Sequence, residues 1–159
     1  MFIKKVYSAF RTHDAHKVLN CLINQCEFKK KAIVLHSYPT CVDIEVTNRC
    51  PLYCIHCPRS YCDVNKIDME LGLLSVEKFL EIIGKLRPVR RITLQGLGEP
   101  LLNPDIFKMI EFAHKQNFFV SFSTSASFYN TEIEAGLRNY PPDSLTFSVD
   151  SMEKTSFEA

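Results

Sequence analysis

Residues 47–59 of this chain read TNRCPLYCIHCPR and place Cys50, Cys54 and Cys57 at the spacing C-x3-C-x2-C. Three thiolates this close together in one loop can hold three corners of a [4Fe–4S] cluster. Zinc is the alternative, because Cys62 or His56 could complete the four ligands of a structural zinc site. The spacing therefore favours an iron–sulfur cluster and leaves zinc open.

The segments around this loop alternate between strand and helix patterns. Apolar residues at 42, 44 and 46 alternate with acidic ones, which predicts a strand leading into the loop. Further strands are predicted over 91–95, 118–123 and 145–149, and helices from Ser75 to Pro88, from 103 to about 116 and over 131–139. Strict alternation of strands and helices predicts a parallel sheet, in a closed barrel or a doubly wound fold. No G-x-G-x-x-G follows the first strand, which argues against a Rossmann-type dinucleotide domain.

The composition is that of an ordinary globular protein. The 159 residues carry a formal net charge of +1 and include seven cysteines. This charge provides no basic field for nucleic acid, and no apolar run approaches the roughly 20 residues that span a bilayer. The N-terminus lacks the pattern of a secretory signal. We therefore expect a cytoplasmic protein without nucleic-acid or membrane partners, whose clustered cysteines bind metal rather than form disulfides.

The chain is predicted to divide into two parts. Residues 1–38 have a broken helical spacing of apolar residues and are expected to form an N-terminal helical extension over the bottom or edge of the sheet. The basic run at 29–31 within it is interpreted as a solvated face. Residues 39–159 form the predicted core. The cysteines without an assigned role are Cys21, Cys26, Cys41 and Cys62.

Two further motifs follow predicted strands. Residues 95–100 read QGLGEP, and glycines beside an acid at the end of a strand allow a ligand to approach closely. The Glu99 carboxylate can accept hydrogen bonds from an ammonium group. The fourth strand ends in Ser148 and Asp150. Each motif alone is compatible with an ordinary turn, but both share with the cysteine loop the C-terminal face where parallel barrels assemble active sites.

The cysteine loop resembles the cluster loop of radical S-adenosylmethionine (SAM) enzymes. The resemblance covers roughly residues 37–156 and implies a partial parallel (β/α) barrel, TIM-barrel-like, with about four βα units of the expected six. It implies that Cys50, Cys54 and Cys57 bind three irons of a [4Fe–4S] cluster. The fourth iron is then left for the amino and carboxylate groups of SAM.

The resemblance also implies contacts to SAM from the other motifs. Gly96, Gly98 and Glu99 lie in a variant of the G-G-E-P motif that holds the SAM amino group, with Leu97 at the first glycine position. Ser148, with Asp150, resembles the S-x-D strand end that touches the SAM ribose or carboxylate. The residue before the last cysteine packs by the adenine in this family, and the cofactor-binding set implied by the resemblance is His56, Gly96, Gly98, Glu99, Ser148 and Asp150.

The chemistry implied by the resemblance is reductive cleavage of SAM. An electron from a donor such as flavodoxin or ferredoxin reaches the cluster, and the C–S bond of SAM breaks to give methionine and a 5′-deoxyadenosyl radical. The radical takes hydrogen from a small-molecule or peptide substrate that the sequence does not name. Because only four strands are predicted, the chain is expected to be a fragment or a truncated frame that binds a cluster but turns over poorly alone. The alternatives are a non-catalytic zinc or iron–sulfur binding module and a degenerate remnant of an enzyme.

Overall fold

The computed structural model describes residues 14–64, 68–149 and 151 of the chain. Its four strands form one parallel sheet in the order β1-β2-β3-β4. The strands are β1 (Cys41–Ile44), β2 (Arg91–Leu94), β3 (Phe119–Thr124) and β4 (Ser144–Phe147). The helices are α1 (Ala15–Lys30), α2 (Pro58–Val64), α3 (Val76–Gly84), α4 (Ile106–Lys115) and α5 (Thr131–Asn139), with a 3₁₀ turn at Pro100–Leu102. The predicted parallel α/β architecture is confirmed.

Local capping chemistry sets where two of the helices begin. The Ser75 side chain accepts a hydrogen bond from the Lys78 N–H at 3.3 Å, at the start of α3. The Asn130 side chain accepts one from the Ile133 N–H at 2.8 Å, at the start of α5. Side-chain oxygens at this position satisfy N–H groups that have no partner inside the helix. The sequence therefore located both helix starts, whereas α2, directly after the last motif cysteine, was not predicted.

One face of the sheet packs against helices and forms the hydrophobic core. Alternate strand residues such as Ile92, Leu94, Val120 and Phe122 are at most 1% exposed. The helices contribute the other fully buried or nearly buried side chains, among them Phe79, Ile83, Ile106, Met109, Ile110 and Ile133. A strand that buries one face must alternate between buried and less buried side chains, and the residues of β3 do so without interruption.

The opposite face of the sheet is polar. The register of the strands sets Asp43 beside Thr93, Thr93 beside Ser121, and Ser121 beside Ser144. Ser123 pairs with Thr146 in the next row. Asp43 is exposed on this face, and Thr93, Ser121 and Ser123 are half-buried.

Helix α1 covers the amino-terminal end of the sheet and is held there by polar side chains. Lys17 is 1% exposed, and its Nζ donates to the carbonyls of Gln116 and Asn117, just before β3, at 2.9 and 3.1 Å. Asn20 is 6% exposed, and its Nδ2 donates to the Pro88 carbonyl, before β2, at 3.2 Å. The helical extension is thus attached at the bottom of the sheet, opposite the ends where the strands lead into the motifs.

Some sequence predictions fall outside the described residues. These are the start of the extension at 1–13, the residues 65–67, Asp150, and the segment 152–159. The division of the chain at residue 38 stays a prediction.

None of the helices in the described ranges is long and apolar enough to cross a membrane.

Candidate functional site

The cysteine loop leaves the carboxyl end of β1 and is fastened to the segment before α3. The Thr47 hydroxyl donates to the Gly72 carbonyl at 2.8 Å and accepts from the Arg49 N–H at 3.0 Å. The Asn48 side chain donates to the Glu70 carbonyl and accepts from the Gly72 N–H, both at 2.8 Å. These contacts explain why a Thr-Asn pair suits the position before the first cysteine: both side chains replace backbone hydrogen bonds that a loop otherwise lacks.

The far end of the cysteine loop is held by Arg59 on α2. Arg59 is 4% exposed, and its guanidinium donates to the Leu52 carbonyl at 2.7 Å and stacks over the Tyr53 ring at 5.2 Å. The Cys57 N–H donates to the Cys54 carbonyl at 3.0 Å, which forms a turn just before α2 begins. The loop is therefore closed at both ends, and its cysteines lie between the two fixed points.

The three motif cysteines line one cleft at the carboxyl ends of the strands. The cleft has a volume of about 460 Å³. It also takes in residues from the ends of β2, β3 and β4, so the predicted motifs do meet on one face. Its lining residues are Asp43, Cys50, Leu52, Cys54, Cys57, Gln95, Gly96, Gly98, Glu99, Pro100, Ser123, Thr124, Ser125 and Ser148.

The thiols themselves are free but not gathered around one point. Cys50 and Cys57 are half-buried, Cys54 is exposed, and none of them forms a disulfide. Across residues 14–64, 68–149 and 151, no three His, Cys, Asp or Glu side chains lie close enough together to hold a metal ion. The cysteine loop must therefore tighten if its three thiols are to share a cluster.

Gly98 lets the glycine–glutamate loop touch the backbone of the cysteine loop. A Cβ at this position would lie 2.7 Å from the Arg49 carbonyl oxygen and closer still to that of Thr47. Both neighbours are backbone atoms and cannot rotate away. The Glu99 N–H donates to the same Arg49 carbonyl at 2.8 Å. The glycine is required here for close packing between two motifs that are about fifty residues apart in the sequence.

Gly96 makes room for the side chain of Glu45, which directly follows β1. The Glu45 carboxylate occupies the space that a Cβ at Gly96 would need, and it accepts a hydrogen bond from the Leu97 N–H at 2.6 Å. Glu45 itself is exposed on the polar side of the sheet. The turn after β2 is thus tied to β1 through a carboxylate that the sequence analysis did not single out.

Glu99 is 3% exposed, and its carboxylate is fully engaged within the chain. One oxygen accepts from the Leu101 N–H at 3.2 Å and from the Thr124 hydroxyl at 2.7 Å. The other accepts from the Ser125 N–H at 2.9 Å and the Ser125 hydroxyl at 2.8 Å. A carboxylate offers about four lone-pair positions, so these bonds use them all. The geometry identifies Glu99 as the link between the ends of β2 and β3.

Of the other residues that were predicted to bind the cofactor, one lines the cleft and one does not. Ser148 lines the cleft, and its N–H donates to the Thr124 carbonyl at 2.8 Å. His56 is exposed, and it is not among the residues that line the cleft. Asp150 lies outside the described residues.

The residues of the cleft fit an iron–sulfur cluster and SAM better than a closed zinc site. Three thiols at one cleft match the donor set of a cluster that keeps one iron open. A structural zinc ion needs four ligands, and Cys62, the proposed fourth thiol, lies on α2 and does not line the cleft. The polar groups at the ends of β2, β3 and β4 leave room beside the thiols for a second, polar ligand.

Several lining residues escaped sequence reasoning. Asp43, Gln95 and Ser123 belong to the polar face of the sheet, and the period-two pattern of their strands was the available signal. Thr124 and Ser125 could not be found in this way, because their role depends on Glu99, which lies 25 and 26 residues away in the chain.

Comparison with known proteins gives a family for this arrangement. The family model described as Radical SAM superfamily matches residues 44–155. The tungsten-containing aldehyde ferredoxin oxidoreductase cofactor-modifying protein of Pyrococcus furiosus is 28% identical over 107 residues, which are 67% of this chain and 30% of that protein. The mycofactocin maturase MftC of Mycobacterium ulcerans is 33% identical over 100 residues, 62% of this chain and 26% of that protein. The chain thus spans about a third or less of these relatives.

A solved structure supports the fold. The crystal structure of BtrN in complex with AdoMet and 2-DOIA superposes with a TM-score of 0.57 at 16% identity, over 75% of this chain and 50% of that one. BtrN crystallised in an open conformation gives a TM-score of 0.58, also at 16% identity, over 77% of this chain and 56% of that one. At this level of identity the likeness shows a shared fold and no more.

Proposed function

The chain belongs to the radical SAM superfamily, and we propose that it is an enzyme, or the N-terminal part of one, that binds a [4Fe–4S] cluster and SAM. One observation carries the proposal: the three motif cysteines, the glycine–glutamate loop and Ser148 line a single cleft at the carboxyl ends of the strands. Active sites of parallel barrels are assembled on this face.

The proposed roles of the residues follow from their positions. Cys50, Cys54 and Cys57 would hold the cluster through their thiolates. Gly98 keeps the turn after β2 close to the cysteine loop, Gly96 makes room there for the Glu45 carboxylate, and SAM would bind beside this turn. When bound, the cluster and SAM supply a 5′-deoxyadenosyl radical for hydrogen abstraction. The protein holds the turn, the loop and the strand ends in place around that chemistry.

The cysteine loop would close on the cluster. Its ends are fixed by Thr47, Asn48 and Arg59, while its thiols are not gathered. Ligand binding that draws together an open loop couples cluster affinity to folding of that loop. We expect the segment 50–57 to become more protected from hydrogen exchange when the cluster is loaded.

The substrate is proposed to be a polar small molecule or peptide. Besides the cysteines, the cleft is lined by Asp43, Gln95 and Ser123 from the polar face of the sheet. Carboxylate, amide and hydroxyl groups bind partners that carry hydrogen-bond donors or positive charge. A one-electron donor such as flavodoxin or ferredoxin is the proposed protein partner.

Anaerobic reconstitution followed by electron paramagnetic resonance tests this function. We expect a reduced cluster signal that shifts when SAM is added, together with about four irons per chain. Cys57→Ala should abolish the signal, whereas the matched variant Cys62→Ala should keep it. A colourless protein that holds one zinc ion, and loses it in Cys62→Ala, would contradict the proposal.

A further inference from the structure

Helix α1 presents its apolar side to solvent. Its buried side chains are the polar Lys17, Asn20 and Glu27. Leu19 and Leu22 point away from them and are 56% and 49% exposed, and Ile23, at the margin of the buried side, is 36% exposed. A surface helix normally buries its apolar stripe and hydrates its polar one, so this helix is inverted relative to the sheet beneath it.

The loop after α1 extends this apolar region. Ile33 is 98% exposed, Val34 72% and Leu35 56%. We call Leu19, Leu22, Ile23, Ile33, Val34 and Leu35 the α1 apolar surface. Clusters of exposed aliphatic side chains of this kind mark contacts with another protein or with lipid.

Three exposed lysines follow one another in the sequence, after the helical residues of this surface and before its loop residues. They are Lys29, Lys30 and Lys31, at the end of α1. Lys30 follows Leu19 by three helical turns and therefore lies on the same side of the helix. The only acidic residue between positions 15 and 40 is Glu27, which is 8% exposed. Lys30 and Lys31 therefore place positive charge beside the apolar side chains, although the chain as a whole is nearly neutral.

The loop is held in the shape that exposes its apolar side chains. The Ala32 N–H donates to the Glu27 carbonyl at 3.0 Å as α1 ends. The Glu27 carboxylate accepts from the His36 N–H and from the Ser37 hydroxyl, both at 2.6 Å. Because both ends of the loop are fixed, little conformational entropy is lost when its side chains enter a partner.

We propose that the α1 apolar surface and its lysines bind the surface of a membrane that contains anionic lipid. Ile33 and Val34 project into solvent at 98% and 72% exposure and need no matching pocket, which suits insertion between lipid headgroups. Lysines beside them attract anionic headgroups and rule out a neutral surface as the preferred partner. This inference departs from the expectation based on the average composition, which cannot reveal a local combination of charge and apolar area.

The location of the surface leaves the cleft accessible. Helix α1 is attached through Lys17 and Asn20 to residues that precede β2 and β3. The cleft lies at the opposite ends of these strands. The proposal is therefore independent of the proposed function, and it can be tested on protein without a cluster.

Vesicle sedimentation with matched charge variants tests the proposal. The full chain should sediment with phosphatidylcholine vesicles that contain about one third phosphatidylglycerol, and far less with pure phosphatidylcholine. Lys29→Glu/Lys30→Glu should weaken the binding about tenfold or more. Lys78→Glu/Lys85→Glu, which changes the net charge equally on exposed positions around α3, should retain most of it.

A fluorescent probe tests insertion without disturbing the fold. The chain has no tryptophan, so Ile33→Trp gives a single indole on the loop. Its emission should shift to the blue on anionic vesicles, while that of Phe128→Trp, in the exposed turn after the carboxyl end of β3, should not. The proposal is overturned if the full chain stays in the supernatant at low salt or if both charge variants lose binding equally. A dimer in solution that Leu22→Asp dissociates would equally overturn it, since a second copy would then cover the surface.

Discussion

Gly98 and Glu99 join the end of β2 to the elements on either side of it. Gly98 lies against the Thr47 and Arg49 carbonyls of the cysteine loop. The Glu99 carboxylate bonds to Thr124 and Ser125 at the end of β3. Two adjacent residues thus connect three of the four strand ends that form the cleft, and each can be tested by a small substitution.

Gly98→Ala should separate the two loops. The added Cβ meets backbone oxygens that cannot yield, so we expect a loss of about 1–3 kcal/mol in the free energy of unfolding. The displaced cysteine loop should also take up less iron on reconstitution. Gly84→Ala is the control, because nothing lies within 4 Å of a Cβ there. Unchanged unfolding and iron content in Gly98→Ala would contradict the observed contact.

Glu99→Gln tests whether this carboxylate is a positioning residue. In this variant an NH₂ group replaces one of the two carboxylate oxygens. It would face either the Ser125 N–H and hydroxyl or the Leu101 N–H and Thr124 hydroxyl, so that a donor would meet a backbone donor. A buried mismatch of this kind costs about 1–3 kcal/mol. We expect the loss in chemical denaturation of protein without cluster or SAM.

The matched control for Glu99 is Glu111→Gln on α4, whose ion pair with Lys115 is exposed. It should change stability by less than about 0.5 kcal/mol. If Glu99→Gln left the apo protein as stable as this control and weakened only SAM binding, Glu99 would be a direct ligand rather than a link between strands.

Among the elements, α1 differs most from its sequence pattern. Its apolar residues recur at a broken helical spacing, and Leu19, Leu22 and Ile23 are exposed rather than packed in the core. Polar anchors determine its orientation instead: Lys17, Asn20 and Glu27 find carbonyl and N–H partners at the amino ends of the strands and in the loop 31–38. The free energy of these hydrogen bonds outweighs the free-energy cost of exposing aliphatic side chains, because leaving the buried polar partners unpaired would destabilise the fold more.

The loop after α1 should loosen in acid. Hydrogen bonds from Ser37, and then from the His36 N–H, lower the pKa of the Glu27 carboxyl below its usual 4.5. Because the folded pKa is the lower one, this stabilisation is fully present above pH 4.5 and is lost as the pH falls through the folded value.

Hydrogen exchange measures this loss. The His36 and Ser37 amides, corrected for intrinsic rates, should become less protected in acid, while amides of β3 stay protected. Glu27→Gln cannot titrate and should show no such pH dependence. An equal acid response in the wild-type chain and this variant would assign the effect to another group.

The two proposed binding regions lie at opposite ends of one sheet. The cleft lies at the carboxyl ends of the strands, and α1 with its basic and apolar surface lies at the amino ends. Between them, the described sheet ends laterally in β1 and β4. Phe147 on β4 is 59% exposed and Val149 just beyond it 53%. Such an edge offers unpaired backbone groups and apolar area to another strand.

We expect the isolated chain to associate through β4 at high concentration. Phe147→Lys should reduce concentration-dependent light scattering without lowering the melting temperature, because a charged side chain on an edge strand opposes pairing. Phe128→Lys is the control, since Phe128 is 45% exposed in a turn rather than on an edge strand. Equal reductions in both variants would point to general hydrophobic association instead.

The sequence by itself determined what depends on local pattern. The period-two and helical spacings located the four strands and α3, α4 and α5, and the capping residue Ser75 marked the start of α3. The cysteine spacing and the glycine–glutamate motif, both short and contiguous, identified the family. These features can be predicted from the sequence because each depends on neighbours within a few residues.

Only the tertiary structure decided which distant groups meet. It assigned all four acceptor positions of Glu99 to nearby backbone and to β3, set Gly98 against the cysteine loop, and brought Asp43 and Ser123 into the same cleft. It also inverted α1, since the partners of Lys17 lie about one hundred residues away in the chain. Contacts of this kind depend on how whole helices and strands pack together, and no local periodicity of the sequence predicts them.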